Sequence, residues 1–443
     1  MEFTTGSTEI GRLVEAERFG AKALLVGAYE EKKKAETIIH LEELERLTET
    51  FGLPVVGLLA CPLRKISAKT FLGKGKVEEI KHLAKEKEAT LIIFDHEISP
   101  QQQRNLEKEI EAMVVDRTEL ILAVFGQRAH TKEAKMQIAL AEYTFQLPRL
   151  KKLWTHLGRQ RVGGGGKGGI LKGEGERQIE IDRRLLRSKI SSIKQELVQL
   201  EKTRALKRAK RKREGRTSFA IIGYTNAGKS TLLNALTEAA VFVEDKLFAT
   251  LDTKAKSYLL PNNQKIILID TVGFIRKLPH RLVEAFKSTL EEAFHADILL
   301  HLIDASSPNI LEEIAASEEV LKELKADKKP RIRVLNKIEK AETKEAKLLR
   351  YRFPKLISIS AKKKMHFDCL IQGMVEEMAH LRKEALFRFD QKDYKFAAKL
   401  MEKAEIIEKI YDKNDLIVKA RVAPSLANAF QNFQIKNYPS PAE

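Results

Sequence analysis

The sequence predicts an α/β multidomain protein in four parts. These are a small parallel α/β domain at the N-terminus, a long antiparallel helical hairpin with a glycine-rich tip, a doubly wound α/β domain, and a small C-terminal α+β domain. Three observations carry that prediction. Short apolar runs alternate with helical patterns in two separate stretches of the 443 residues. An apolar heptad runs along one long segment between them. The final stretch changes to a strand–helix–strand–strand order. A chain of this length has room for two or three separate cores.

Residues 1–130 hold ALLVGA, PVVGLLAC, ATLIIFD and AMVVD as strands, with HLEELERLTETFG and GKVEEIKHLAKEKE as helices between them. That alternation argues for a small parallel sheet. No catalytic constellation stands out in it. Residues 131–216 form the expected hairpin. TKEAKMQIALAEYTFQLPRL has helical apolar spacing, and Ile179, Leu186, Ile190, Ile193, Leu197 and Leu200 then fall seven, four, three, four and three apart. Such a seam needs a partner. The nearest is the helix before the glycines, the alternative being a globular domain.

Between the two helices lies LGRQRVGGGGKGGILKGEGE, Leu157 to Glu176, with nine of the chain's 23 glycines. It matches G-x-G-x-x-G twice, but no strand precedes it, so the matches are accidents of composition. The loop is assigned to residues 158–175 and is expected to be mobile in the free protein. Residues 217–383 carry SFAIIG, KIILIDT, DILLHLIDA, RIRVLNK and LISIS as buried-type strands separated by helices, the pattern of a doubly wound fold. Residues 384–443 form the appended α+β unit.

Charge narrows the partner class. Eighty Lys and Arg against 62 Asp and Glu give +18, with the excess between Arg149 and Arg216. Glu214 is the single acid from Thr203 to Arg216. A patch of one sign attracts a polyanion and releases its counterions, which favours nucleic acid. A membrane surface fits less well, because the run has no apolar face rich in Trp or Phe. No apolar run reaches about 18 residues, so a transmembrane helix is not expected. The N-terminus lacks the basic-then-apolar order of a signal peptide. Cys61 and Cys369, far apart, read as two buried thiols in a reducing cytoplasm.

The chemistry concentrates in the third part. GYTNAGKS, formed by Gly223, Tyr224, Thr225, Asn226, Ala227, Gly228, Lys229 and Ser230, satisfies G-x-x-x-x-G-K-[ST] between a strand and a helix. Backbone N–H groups there can surround a β-phosphate at a helix N-terminus. Lys229 reaches the β- and γ-phosphates and Ser230 ligates Mg²⁺. LFATLD places Thr250 where it can join Mg²⁺ and the γ-phosphate. In DTVGF, Asp270 can hold Mg²⁺ through water and the Gly273 N–H can meet the γ-phosphate. NKIE (Asn336, Lys337, Ile338, Glu339) and SAK (Ser360, Ala361, Lys362) end later strands. Successive strand ends converge on one ligand in such sheets, which makes this a nucleoside triphosphate site.

Two residues depart from the usual pattern of such sites. Glu339 stands where an aspartate normally takes the guanine N1 and N2 protons, its stem one methylene longer. GTP remains favoured, with weaker discrimination expected. Phe274 follows the D-x-x-G glycine, where a glutamine orients water in Ras-like enzymes. Intrinsic hydrolysis should then be slow, with Lys229, Thr250, Gly273 and Phe274 around the reacting phosphate. Asn226 is placed to ligate K⁺.

Together these segments resemble the HflX family of ribosome-associated GTPases, over nearly the whole length. FLGKGKVEEI, FDHEISPQQQRNLE, VVDRTELILAVFGQRAHT, AEYTFQLPRL, QIEIDRR, GYTNAGKSTLLNALT, LFATLD and DTVGFIRKLP carry the resemblance. It implies a monomeric, cytoplasmic GTPase without a stable membrane anchor, associating at most peripherally with a membrane. It also implies binding to the large ribosomal subunit and its rRNA, splitting of stalled ribosomes under stress, and hydrolysis stimulated by the ribosome. The N-terminal domain and hairpin would reach rRNA near the peptidyl-transferase region. The glycine loop, with Arg159, Arg161, Lys167 and Lys172, would enter a narrow rRNA cavity. Phe248, Ala249, Thr250, Leu251 and Asp252 would form switch I. Asp270, Thr271, Val272 and Gly273 would open switch II, and Asn336 to Glu339 and Ser360 to Lys362 would face the base. The chain departs from the family in Gly173–Glu174–Gly175–Glu176, which lacks a proline, and in Thr253 after LFATLD. The alternative function is an NTP-dependent RNA chaperone acting on rRNA, using ATP or GTP. A membrane-associated signalling GTPase is disfavoured by the lack of an anchor.

Overall fold

The computed structural model describes residues 9–30, 33–153, 171–237, 247–248, 250–277, 295–340, 343–412 and 414–435, the side chains of 9, 151–179 and 212 excepted. The chain divides into two compact units. The first comprises residues 1–198 with 246–249 and 278–286, and the second comprises the remainder.

In the first unit, α1 (Glu9–Arg18) leads to β1 (Ala23–Tyr29), α2 (Lys34–Phe51), β2 (Val55–Pro62), α3 (Lys74–Glu86), β3 (Leu91–Phe94), α4 (Pro100–Ile110), β4 (Met113–Asp116) and α5 (Arg117–Arg128). The strands pair in parallel, in the order β2-β1-β3-β4. On one face, Leu24, Val26 and Ile92 pack against Val77 and Ile80 of α3 and Leu106 of α4. The four strands and two helices expected from sequence are all present. Three helices were not expected. The first, α4, is rich in glutamine but starts at a full capping box, with Ser99 accepting from Gln102 N, Gln102 reciprocating, and Pro100 at the first turn. The second, α5, is buried along most of its length, so its apolar residues show no amphipathic period. The third is α1.

Next comes α6 (Lys132–Leu153), followed by α7 (Leu171–Arg213). Lys132 Nζ lies 3.1 Å from Glu196, and Lys189 Nζ lies 5.4 Å above the Tyr143 ring. Position 132 therefore meets 196 while 143 meets 189, so the helices run antiparallel, as expected of a hairpin. Leu186, Ile190, Ile193, Leu197 and Leu200 are half-buried, which makes the seam a shallow one. The side chain of Ile179 lies outside the described residues, and so does the glycine stretch from 158 to 170. The loop is shorter than expected at its C-terminal end. Helix α7 already includes Gly173 and Gly175, since no proline interrupts it and Glu174 and Glu176 favour a helix N-terminus.

The second unit holds β5 (Ser218–Gly223), α8 (Lys229–Thr237), β6 (Lys254–Leu259), β7 (Lys265–Asp270), β8 (Ile298–Asp304), α9 (Ile310–Glu323), β9 (Arg331–Asn336), α10 (Lys344–Arg352), β10 (Ile357–Ser358) and α11 (Phe367–His380). Its sheet order is β10-β9-β8-β5-β7-β6, parallel except for antiparallel β6 at the edge. That edge strand was not legible: KAKSYL is mostly exposed, so it carries little apolar alternation. Cys61 is buried, but Cys369 is exposed, contrary to expectation. Leu370, Met374 and Met378 mark the buried face of α11, which Cys369 does not share.

The expected strand–helix–strand–strand tail is β11 (Lys383–Phe389), α12 (Tyr394–Lys403), β12 (Glu405–Asp412) and β13 (Asp415–Val422), with α13 (Pro424–Ala429) and a short β14 (Gln434–Ile435) added. The sheet is antiparallel, ordered β12-β13-β11-β14. Phe387 and Phe389 pack against Phe430 in its core. No helix among the described residues is long and apolar enough to cross a membrane.

Candidate nucleotide-binding site

The site forms at the carboxyl ends of β5, β7 and β9. After β5 the chain turns through Asn226, at φ 61, and Gly228, at φ 92, into α8. A Cβ on Gly228 would stand 2.4 Å from Asn336 Nδ2, so glycine is required by both space and conformation. The loop after β7 is stitched to this turn. Phe274 N donates to Gly223 O at 3.0 Å, and Thr225 N donates to Phe274 O at 2.8 Å. Gly273 lies so close that a Cβ there would meet Thr225 Cα at 2.8 Å and Lys229 Nζ at 2.9 Å.

Lys229 is buried, and its Nζ donates to Tyr224 O at 2.8 Å and Gly223 O at 3.3 Å. Burial brings its ammonium down to about 8, with Asp270 opposing the shift and Lys337 adding to it. Phosphate oxygens would supply the missing negative charge. Asp270 is also buried, and desolvation raises its carboxyl above the usual range despite the Ser230 hydrogen bond and Lys229.

Ser230 Oγ and Thr250 Oγ1 are 2.7 Å apart, and Ser230 Oγ donates to Asp270 Oδ2 at 2.7 Å. Asp270 Oδ1 is buried with no hydrogen-bond partner among the described residues. Three hard oxygens gathered this closely, one carrying charge and one atom unsatisfied, fit Mg²⁺. Ser230 and Thr250 would hold it directly, and Asp270 through water.

Asn336 is spent on architecture. Its Nδ2 donates to Ala227 O at 2.8 Å and its Oδ1 accepts from Ala361 N at 2.9 Å, which joins the P-loop, NKIE and SAK. Lys337, at φ 65, pairs with Asp304 at 2.7 Å. Ile338 packs against the Ile303 and Ala305 cluster. Glu339 Oε2 is buried without a hydrogen-bond partner among the described residues. Ser360 Oγ accepts from Lys363 N at 3.0 Å, and Lys362 is exposed.

Several expected site residues act through backbone or packing. Thr271 Oγ1 donates to Ile221 O at 2.7 Å, and Val272 and Leu251 are buried. Asp252 is half-buried. Tyr224 OH accepts from Arg276 N at 2.9 Å. The Phe274 ring is buried, so that residue offers the site its backbone rather than a catalytic side chain. Phe248 needs a correction. Its ring does not join the nucleotide cluster but packs edge-on to Phe125 of α5, centroids 4.5 Å apart. Apolar burial outweighs its nearness to Thr250 in sequence. Ala249 lies outside the described residues. Among the described residues nothing beyond Asn226 itself points to K⁺. Sequence reasoning missed Asp304, although LLHLIDA ends a strand at the same edge of the sheet.

Residues 39–126 match the family described as GTP-binding GTPase N-terminal, and 128–211 match GTP-binding GTPase Middle Region. Residues 218–337 match 50S ribosome-binding GTPase. The chain is 44% identical to "GTPase HflX" of Chlamydia pneumoniae over 95% of its own length and 90% of the relative's. It is 43% identical to "GTPase HflX" of Caldanaerobacter subterraneus subsp. tengcongensis, covering 95% of each. A crystal structure of a GTP-binding protein from Sulfolobus solfataricus in complex with GDP is 25% identical, covering 82% of this chain and 99% of that one, with a TM-score of 0.43. At that identity over nearly the whole of both chains, the chain belongs to the HflX family of GTP-hydrolysing enzymes.

Proposed function

We propose that this GTPase is a switch that associates with the large ribosomal subunit and splits or rescues stalled ribosomes. The observation that carries it is the basic face of α7, where Lys202, Lys207, Lys210 and Arg213 are exposed beyond the hairpin seam. Such a face suits rRNA phosphates. The description 50S ribosome-binding GTPase for the family matching residues 218–337 supports the same partner.

The site supports the switch. Lys229 binds the β- and γ-phosphates and holds its proton there, because their charge offsets its desolvation. Mg²⁺, when bound, neutralises charge on the phosphate oxygens. Thr250 and the Gly273 N–H register the γ-phosphate and are released once it leaves. The Gly273 N–H lies on the stitched turn, so its position is fixed before substrate arrives. Glu339 Oε2, buried and unsatisfied, supports guanine as the base, which has N–H groups to offer it. The buried Phe274 ring supplies no group to orient water, which supports slow intrinsic hydrolysis and stimulation by the ribosome.

Co-sedimentation of the GTPase loaded with a non-hydrolysable GTP analogue tests this. Binding to isolated large subunits that weakens with GDP is the expected result. Failure to bind, with hydrolysis unchanged by added subunits, would sink the proposal. Equal binding to bare rRNA, with ATP competing as well as GTP, would favour the RNA chaperone.

A further inference from the structure

Strands β8 and β9 end side by side, with Asp304 aligned to Asn336 across the parallel pair. Ala305 N donates to Asn336 O at 2.8 Å, so the turns that follow the two strands start from one fixed edge. The Asp304 carboxylate serves both turns. Its Oδ1 accepts from Ser306 N at 2.9 Å and from Ser306 Oγ at 2.7 Å, an arrangement that orients the group. Its Oδ2 lies 2.7 Å from Lys337 Nζ, and the lysine and aspartate side chains are only 14% and 16% exposed. Lys337 itself sits at φ 65, a left-handed conformation uncommon for lysine, which persists where the surroundings over-determine it.

Two residues further on, Glu339 Oε2 is buried without a hydrogen-bond partner among the described residues. A buried carboxylate draws a cation within reach, because an ion pair offsets part of its desolvation. Two residues span at most about 7 Å, a gap that the flexible four-carbon stem of a lysine and a glutamate can close between them. Lys337 is paired with Asp304 instead. We infer that Asp304 is a positioning residue for base selectivity: by holding the Lys337 ammonium, it leaves the Glu339 carboxylate open to the N–H groups of guanine. The inference rests on the proposed meeting of Glu339 with the base.

The full chain tests it with GDP and inosine diphosphate, whose base lacks the 2-amino group of guanine. One hydrogen bond to a charged group separates the two ligands, so the wild type should prefer GDP by about tenfold or more. Asp304→Asn keeps an acceptor for Ser306 but loses the negative charge facing Lys337. GDP affinity should then fall about tenfold and inosine diphosphate affinity less, which brings the preference within about threefold. Adding Lys337→Met removes the ammonium and should restore the preference. A wild-type preference in Asp304→Asn would overturn the inference. So would a double variant that stays unselective, because an ion pair that merely braces the loop predicts no rescue. Should Asp304→Asn not fold, Lys337→Met alone decides. It should weaken both ligands alike and keep their ratio, and a lost ratio overturns the inference. Equal affinities in the wild type would instead remove Glu339 from the base, and the inference would fall with the reading it rests on.

Discussion

At the scale of single residues, the site is made by groups whose burial would be costly anywhere else. Lys229, Asp270 and Glu339 Oε2 are withdrawn from water with incomplete pairing, and under the proposed function a triphosphate with its metal would supply what they lack. His301, in β8, is a buried histidine outside the motifs. Desolvation first, then the charges of Arg331, Arg333 and Lys229, bring it down to about 3, and its Nδ1 has no hydrogen-bond partner among the described residues. It is therefore neutral in the folded chain, while the unfolded chain protonates it below about 6.5. The unfolded state then binds the extra proton, so stability falls as pH drops from about 6.5 toward 3. The total amounts to on the order of 5 kcal/mol. His301→Leu should lose part of that acid sensitivity. Urea midpoints measured from pH 7 to 4.5 should converge for the two proteins, and parallel profiles would refute the assignment. The motif residues were legible because their spacing is dictated by phosphate chemistry. His301 was not, since one histidine in an apolar strand has no pattern.

At the scale of elements, helices and strands were legible in proportion to their amphipathic contrast. The exposed edge strand β6 and the deeply buried α5 escaped for opposite reasons, too little apolar character and too much. Helix α6 continues through Pro148, which removes a backbone donor. Beside it stands Arg149, which opens the basic run expected to face nucleic acid. In the fold it faces inward. Its guanidinium donates to Asp116 at 3.0 Å and to Gln103 at 3.1 Å, pairs with Glu119, and lies 3.6 Å over the Phe145 ring. Asp116 also accepts from Glu119 N, which caps α5. Arg149→Ala should therefore destabilise the first unit by about 3–5 kcal/mol, because two buried carboxylates lose the guanidinium paired with them. Chemical denaturation measures it, and a loss below about 1 kcal/mol, the size of an exposed pair, would contradict the network.

At the scale of the whole molecule, the chain has two compact units, and the residues proposed to hold phosphate, metal and base all belong to the second. A ligand that binds the folded second unit stabilises that unit by mass action. GDP at about a hundredfold excess over its Kd contributes about 2.7 kcal/mol there. Calorimetry should show two transitions, with GDP raising the one assigned to the second unit more than the other. A single transition moving as one would show that the units unfold together.

Sequence alone pointed to the doubly wound fold, to the P-loop turn, to the hairpin, and to Ser230, Thr250 and Asp270, whose oxygens the fold gathers. Each is a local spacing imposed by periodicity or by the shape of a phosphate. Only the tertiary structure decided where Phe248 and Arg149 point and how Asn336 ties three loops together. These depend on partners 123, 33 and 109 residues away along the chain. Apolar burial and desolvated charge choose such partners by proximity in space, which no local spacing records.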